Sequence, residues 1–115
     1  MSDIDRPAFD QFVRDVGASA AKRLAGVFAA DARRRVEAAR KLAPSGPGPD
    51  LRREAHSLKS AARTYGAAGI AEAARALEEA CDHNRAGEIA LLTRALGETV
   101  ERDLPRFEAA VAAIS

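Results

Sequence analysis

The sequence predicts an all-α fold, an antiparallel four-helix bundle with a short N-terminal lid helix. Three observations lead there. Apolar residues recur at helical spacings of three and four along most of the chain, and no convincing strand pattern interrupts them. Alanine supplies much of the 47% apolar content, while aromatics make up only 4% and tryptophan is absent. Alanine is the best helix former, and its small side chain lets helices approach closely. Glycine and proline stops divide the chain into helix-length pieces joined by short connections, the pattern of an up-down-up-down bundle.

The first piece runs from Pro7 to Val16, with Phe9, Phe12, Val13 and Val16 on one face. Asp5 suits its N-cap and Gly17 its end. It is too short for a full bundle member and reads as a lid. The second spans about Ala18 to Leu42, with Leu24, Phe28, Ala32, Ala39 and Leu42 in a stripe, Val36 at its edge, and Arg33, Arg34 and Arg40 turned elsewhere. Residues 43–50, APSGPGPD, cannot continue a helix and form the clearest loop. A third helix is expected from near Asp50 to near Tyr65, where Gly66 supplies a left-handed stop. The fourth runs from about Ala67 to Asn84 on a stripe of Ile70, Ala74, Leu77 and Cys81. The fifth starts near Gly87 and reaches the C-terminus, lined by Ile89, Leu92, Leu96, Val100, Leu104, Phe107, Val111 and Ile114. Pro105 should bend it.

At 115 residues the chain makes one domain over its whole length, 1–115. A net charge of +1, from 18 bases and 17 acids, gives no global attraction to nucleic acid or membrane, and no aromatic interleaves the basic residues. No stretch approaches the roughly 18–20 apolar residues of a membrane span, and the polar, acidic N-terminus has no signal-peptide pattern. Cys81, the single cysteine, permits no internal disulfide, which fits a reducing cytoplasm. Cys81 and His83, two apart with no second pair, do not make a zinc site. The glycine-rich phosphate loops of nucleotide sites are absent, so the chain is not expected to use ATP.

The third helix carries the chemistry. At about 100° per residue, Leu51, Ala55, Leu58, Ala62 and Tyr65 fall within about 40° of one direction, the core face. His56 lies about 140° away, on the outside. Arg52, Arg53, Lys59, Ser60 and Arg63 surround it, whereas Glu54 falls on the opposite flank. Cations crowded around an imidazole favour its neutral, nucleophilic form and would stabilise a phosphoryl dianion placed on it. Lys59 is expected to be exposed, so that its replacement should affect stability little.

Residues 55–67 read A-H-S-L-K-S-A-A-R-T-Y-G-A. This resembles the signature of histidine phosphotransfer domains, in outline A-H-x-L-K-G/S-x-A/S-x-x-hydrophobic-G-A. The likeness continues through Ile70 and the Leu77-Glu78 pair, and the length and helix order agree with it. The resemblance implies that His56 is the phosphoacceptor, through its Nε2 atom, and that Lys59 offsets charge on the phosphoryl oxygens. Ser60 stands where many members have glycine, leaves room for an incoming aspartyl phosphate and adds a donor. Arg63 extends the positive face, and Gly66 is structural. Glu78 falls where some members have a glutamine facing the histidine. It either orients the ring through Nδ1–H or pairs with a lysine or arginine.

The function so implied is a phosphorelay carrier. It accepts a phosphoryl group from the aspartyl phosphate of a receiver domain, or from a sensor or hybrid histidine kinase, and passes it to a response-regulator aspartate. Receiver sites are clusters of carboxylates, so Arg52 and Arg53 are assigned to docking; Glu78 is also counted among the partner-binding residues. Any Mg²⁺ belongs to the receiver, and no cofactor is expected here. A monomeric, cytoplasmic carrier is expected, free-standing in preference to a domain of a hybrid kinase, with neither nucleic acid nor membrane as partner. The alternative is a helical adaptor that binds receivers without phosphotransfer.

Overall fold

The computed structural model describes residues 3–114. Among these the chain forms α1 (Arg6–Val16), α2 (Ala18–Leu42), α3 (Pro49–Tyr65), α4 (Ala68–Asp82) and α5 (Ile89–Ala112), with 3₁₀ turns at Ala43–Ser45 and Ala86–Glu88 and no strand. The long helices close a ring of contacts: α2 on α3, α3 on α4, α4 on α5 and α5 back on α2, while α1 lies against α2 and α3. Among the described residues no helix is long and apolar enough to cross a membrane.

The stops act as the sequence suggests. Asp5 accepts from Ala8 N–H at 3.2 Å and so caps α1. Gly17, at φ +85°, ends α1 by donating to the Val13 carbonyl. The third helix starts at Pro49, one residue before the expected Asp50, because the fixed φ of proline suits the first helical position. The fourth ends at Asp82 rather than Asn84, since Asn84 turns left-handed at φ +53°. The fifth begins two residues after the expected Gly87, behind a 3₁₀ turn, and its helical backbone runs unbroken through Pro105.

Inside the ring the predicted stripes meet. Leu51, Ala55, Leu58 and Ala62 of α3 are buried with Ile70, Ala74 and Leu77 of α4, and Cys81 packs at the edge. With many alanines in the core, bulk is concentrated at one end. There Phe28 stacks on Tyr65 at 4.7 Å, Phe12 meets the same tyrosine edge-on, and Phe107 contacts Phe9, Phe28 and Tyr65. Phe9 and Phe12 hold the lid helix in this cluster. Val16, placed on the same face by the sequence, is exposed instead, because it sits in the last turn beside Gly17.

Gly66 joins the lid to the α3 end. At φ +78° its N–H donates to the Arg63 carbonyl, and Ala67 N–H donates to that of Ala62, a 6→1 helix stop. Its own carbonyl accepts from Asp5 N–H at 2.8 Å. A Cβ there would lie 2.7 Å from Phe9 N and 2.8 Å from Asp5 O, both backbone atoms that cannot swing aside. Gly46, at φ +80°, has open space around the same position. Gly66→Ala should therefore lower stability by more than about 2 kcal/mol and loosen α1, whereas Gly46→Ala should cost only the left-handed strain of about 1 kcal/mol. Urea unfolding of both variants, with hydrogen exchange over residues 6–16, checks the pair. Equal losses would remove the Gly66–α1 contact from this account.

Candidate functional site

His56 projects from the middle of α3 with half its side chain exposed, as the wheel places it. Its setting differs from the expected one. Nδ1 lies 2.5 Å from Oε2 of Glu78 on α4, and the other oxygen of that carboxylate, Oε1, accepts from Lys59 Nζ at 2.5 Å. Arg52 reaches the same group, with Nη2 3.4 Å from Glu78 Oε2, while its Nε donates to Asp82 Oδ1 at 2.5 Å. Glu78 is only 5% exposed. Both alternatives for Glu78 therefore hold at once: it meets the histidine ring and it pairs with cations.

The carboxylate fixes the chemistry of the ring. Burial pushes the Glu78 carboxyl up, but hydrogen bonds from Lys59 and His56, reinforced by their charges, outweigh it and hold the group below the usual range. An ionised carboxylate only accepts, so Nδ1 must donate. In the neutral ring the lone pair then resides on Nε2. The site thus presents a nucleophilic nitrogen in one tautomer, oriented from behind by a buried anion.

Three sequence expectations need correction. The basic face was expected to contain no acid, but α4 supplies Glu78 and Asp82, and Asp50 pairs with Arg53 at 3.3 Å. Lys59 was expected to be exposed, but its side chain is 16% exposed and tied to Glu78. Its angle explains this: it stands about 80° from the core direction, on the flank that α4 covers. Glu78, assigned to docking, is buried and faces His56 and Lys59 instead of the exterior.

The remaining residues lie where expected. Ser60 and Arg63 are exposed on the His56 side of α3, and Arg63 has no ion pair among the described residues. Arg53 is largely exposed. Cys81 is half-buried, and burial pushes its thiol up, while His83 is exposed at the end of α4. No group of three or more metal-ligating side chains occurs among the described residues.

Asp82 was missed by the sequence reading, yet a signal existed. Glu78 and Asp82 are four apart on α4, about 80° and 120° from the direction of Ile70, as Lys59 and Arg52 stand about 80° and 100° from that of Leu51 on α3. Opposite charges on two flanks of sequential helices invite this pairing.

A family model described as the Hpt domain matches residues 23–115, which covers most of α2 and all of α3, α4 and α5. No curated protein and no solved structure matches the chain.

Removing Lys59 leaves a buried carboxylate short of one partner. Lys59→Ala should lower stability by about 1–3 kcal/mol, the range for an orphaned buried polar group. The loss should depend on pH. Glu78 is depressed in the folded state, so its contribution is fully present above the unfolded glutamate value of about 4.3 and is lost as pH falls through the lower folded value. The difference in urea midpoint between wild type and Glu78→Gln should be smaller at pH 3 than at pH 7. A constant difference would show that the carboxylate charge plays no part.

Proposed function

The chain belongs to the Hpt domain family, the phosphotransfer carriers of two-component phosphorelays, and we propose that it carries a phosphoryl group on His56 Nε2 between aspartates of receiver domains. The observation that supports this most is the contact of His56 Nδ1 with Glu78, which leaves Nε2 as the nucleophile on a half-exposed ring. The reading takes the four long helices as an antiparallel bundle with α1 as its lid, and the chain as a monomer that presents α3 to its partners. A sensor or hybrid histidine kinase feeds the relay, and a response regulator receives from it.

In the proposed step the Nε2 lone pair attacks phosphorus as the bond to the aspartyl oxygen breaks, and that electron pair leaves on the partner's carboxylate. No proton need move. The ring gains a positive charge as the N–P bond forms, and Nδ1–H already points at the Glu78 carboxylate that offsets it. Onward transfer reverses the sequence: a second aspartate attacks phosphorus, and the N–P electron pair returns to Nε2. Lys59 spends one ammonium N–H on Glu78 and keeps two for phosphoryl oxygens. Arg63 adds charge from the exposed face, and Ser60 leaves room for the incoming group while offering a donor. Catalysis is mainly positioning and electrostatics. An adaptor without phosphotransfer would need neither the buried carboxylate nor the single tautomer.

Docking steering falls to Arg53 and Arg63, since Arg52 is shared between Asp82 and Glu78. Rim charges mainly speed encounter and are screened over about 8–10 Å at physiological salt.

A phosphorylated receiver should label the protein at one site, through a bond lost in acid and kept in base. His56→Gln should abolish labelling while remaining folded, because the glutamine amide can still donate to Glu78. Labelling that persists in that variant would end the assignment to His56. Arg53→Glu should lower the transfer rate at subsaturating receiver, less so at high salt. A loss confined to the saturated rate would instead place Arg53 in the chemistry.

A further inference from the structure

Asp82 belongs to no part of the mechanism above, although its carboxylate makes one of the shortest contacts beside the site. We propose that Asp82 is a positioning residue: it draws Arg52 away from Glu78 and so leaves the Glu78 charge to the His56 ring. The inference rests on the phosphotransfer reading for its consequence, but the contact chain stands apart from it.

The geometry is a relay of four side chains. Glu78 Oε2 is shared between His56 Nδ1 at 2.5 Å and Arg52 Nη2 at 3.4 Å. The guanidinium is held off this oxygen because its Nε donates to Asp82 Oδ1 at 2.5 Å. The hydrogen bond to Asp82 is also the foremost cause, ahead of the charges of Asp82 and Glu78, that raises the Arg52 guanidinium above its ordinary value. Two cations compete with the ring for one buried anion. Lys59 takes the other oxygen, Oε1, and competes only through its charge. Arg52 competes for the same oxygen, where a bidentate guanidinium would be the stronger donor. Asp82 prevents this by offering the guanidinium a second acceptor.

The consequence lies in the phosphoryl step. The ring becomes positive as Nε2 bonds to phosphorus, and the stabilisation it receives depends on how much of the Glu78 charge is unclaimed. Without Asp82, Arg52 closes on Oε2, the Nδ1–H bond weakens, and the neutral ring is freer to place its proton on Nε2, where it blocks attack. Asp82 and Arg52 are both about half exposed, so the coupling is of the size of a surface ion pair, about two- to fivefold in rate.

The test uses the full chain and phosphoramidate as donor, which removes partner docking from the measurement. The P–N bond of the donor breaks, ammonia leaves, and Nε2 takes the phosphoryl group. Asp82→Asn should be labelled two- to fivefold more slowly than wild type. Arg52→Gln should be labelled faster, and adding Asp82→Asn to it should change nothing further, since Asp82 acts only through Arg52. Ring ¹⁵N shifts of unphosphorylated protein at alkaline pH should show less Nδ1–H tautomer in Asp82→Asn than in wild type, with the arginine variant again insensitive to Asp82. An unchanged Asp82→Asn, or a double variant whose effects simply add, would overturn the proposal. If wild type takes no label, the phosphotransfer reading fails alone, and the tautomer comparison still decides whether Asp82 governs the ring.

Discussion

A carboxylate that leaves water must find charged or donating partners, and Glu78 finds them all on the neighbouring helix. Lys59 occupies one oxygen, while His56 and, at longer range, Arg52 occupy the other. Since Glu78 sits on α4 and its partners on α3, these bonds fix the two helices relative to each other and the azimuth of the imidazole together. A buried ionic set of this kind is a weak source of net stability, because well-packed apolar side chains of similar volume often do as well. What apolar packing cannot supply is an acceptor behind Nδ1. The contact that joins α3 to α4 therefore also selects the nitrogen that keeps the lone pair in the neutral ring.

That arrangement needs α3 held at more than one point. Its far end is held by Gly66, whose left-handed turn brings its carbonyl to Asp5 N–H and permits backbone contact with α1. Its core face is held by Leu51, Ala55, Leu58 and Ala62, all nearly inaccessible to solvent. Tyr65, in the last turn, stacks on Phe28 and meets Phe12 from the lid. On its other flank Glu54 accepts from Arg35 of α2 at 3.2 Å. Contacts on both flanks, the inner face and one end leave only the His56 side open, which suits a site built on a rigid element.

The contrast between what the sequence made legible and what it did not follows from these contacts. A core stripe depends on one helix alone, so Leu51 to Tyr65 and Ile70 to Cys81 could be read from angles. Helix stops depend on local chemistry, so Asp5, Gly17 and Gly66 could be read as well. His56 was legible twice, by its angle and by the A-H-S-L-K-S run. Flank residues depend on what a neighbour brings. Lys59 and Glu78 each stand about 80° from a core direction, where a residue is exposed or buried according to the helix beside it. The reading that placed four cations around His56 treated α3 as if it stood alone. The 3₁₀ turns at Ala43–Ser45 and Ala86–Glu88 escaped for a related reason, since short runs of this kind depend on how the flanking helices are set.

The charges nearest His56 balance. Lys59 and Arg52 against Glu78 and Asp82 make a set of zero net charge around the imidazole. A uniformly basic face would have to attract the partner, neutralise the phosphoryl group and tolerate its own repulsion with the same side chains. Here those tasks are divided. The inner set acts at hydrogen-bond distance, where salt screens little and geometry dominates. Arg53 and Arg63 lie outside it, exposed, where their charge would act over longer range on the acidic surface of the proposed partner. In the proposed transfer, a phosphoryl dianion added to a neutral inner set would draw on the spare donors of Lys59, and the ring charge it creates would fall on Glu78. On the proposed reading, contacts with the ring and charge on the outer face rest largely on different side chains, Glu78 and Lys59 for the first and Arg53 and Arg63 for the second.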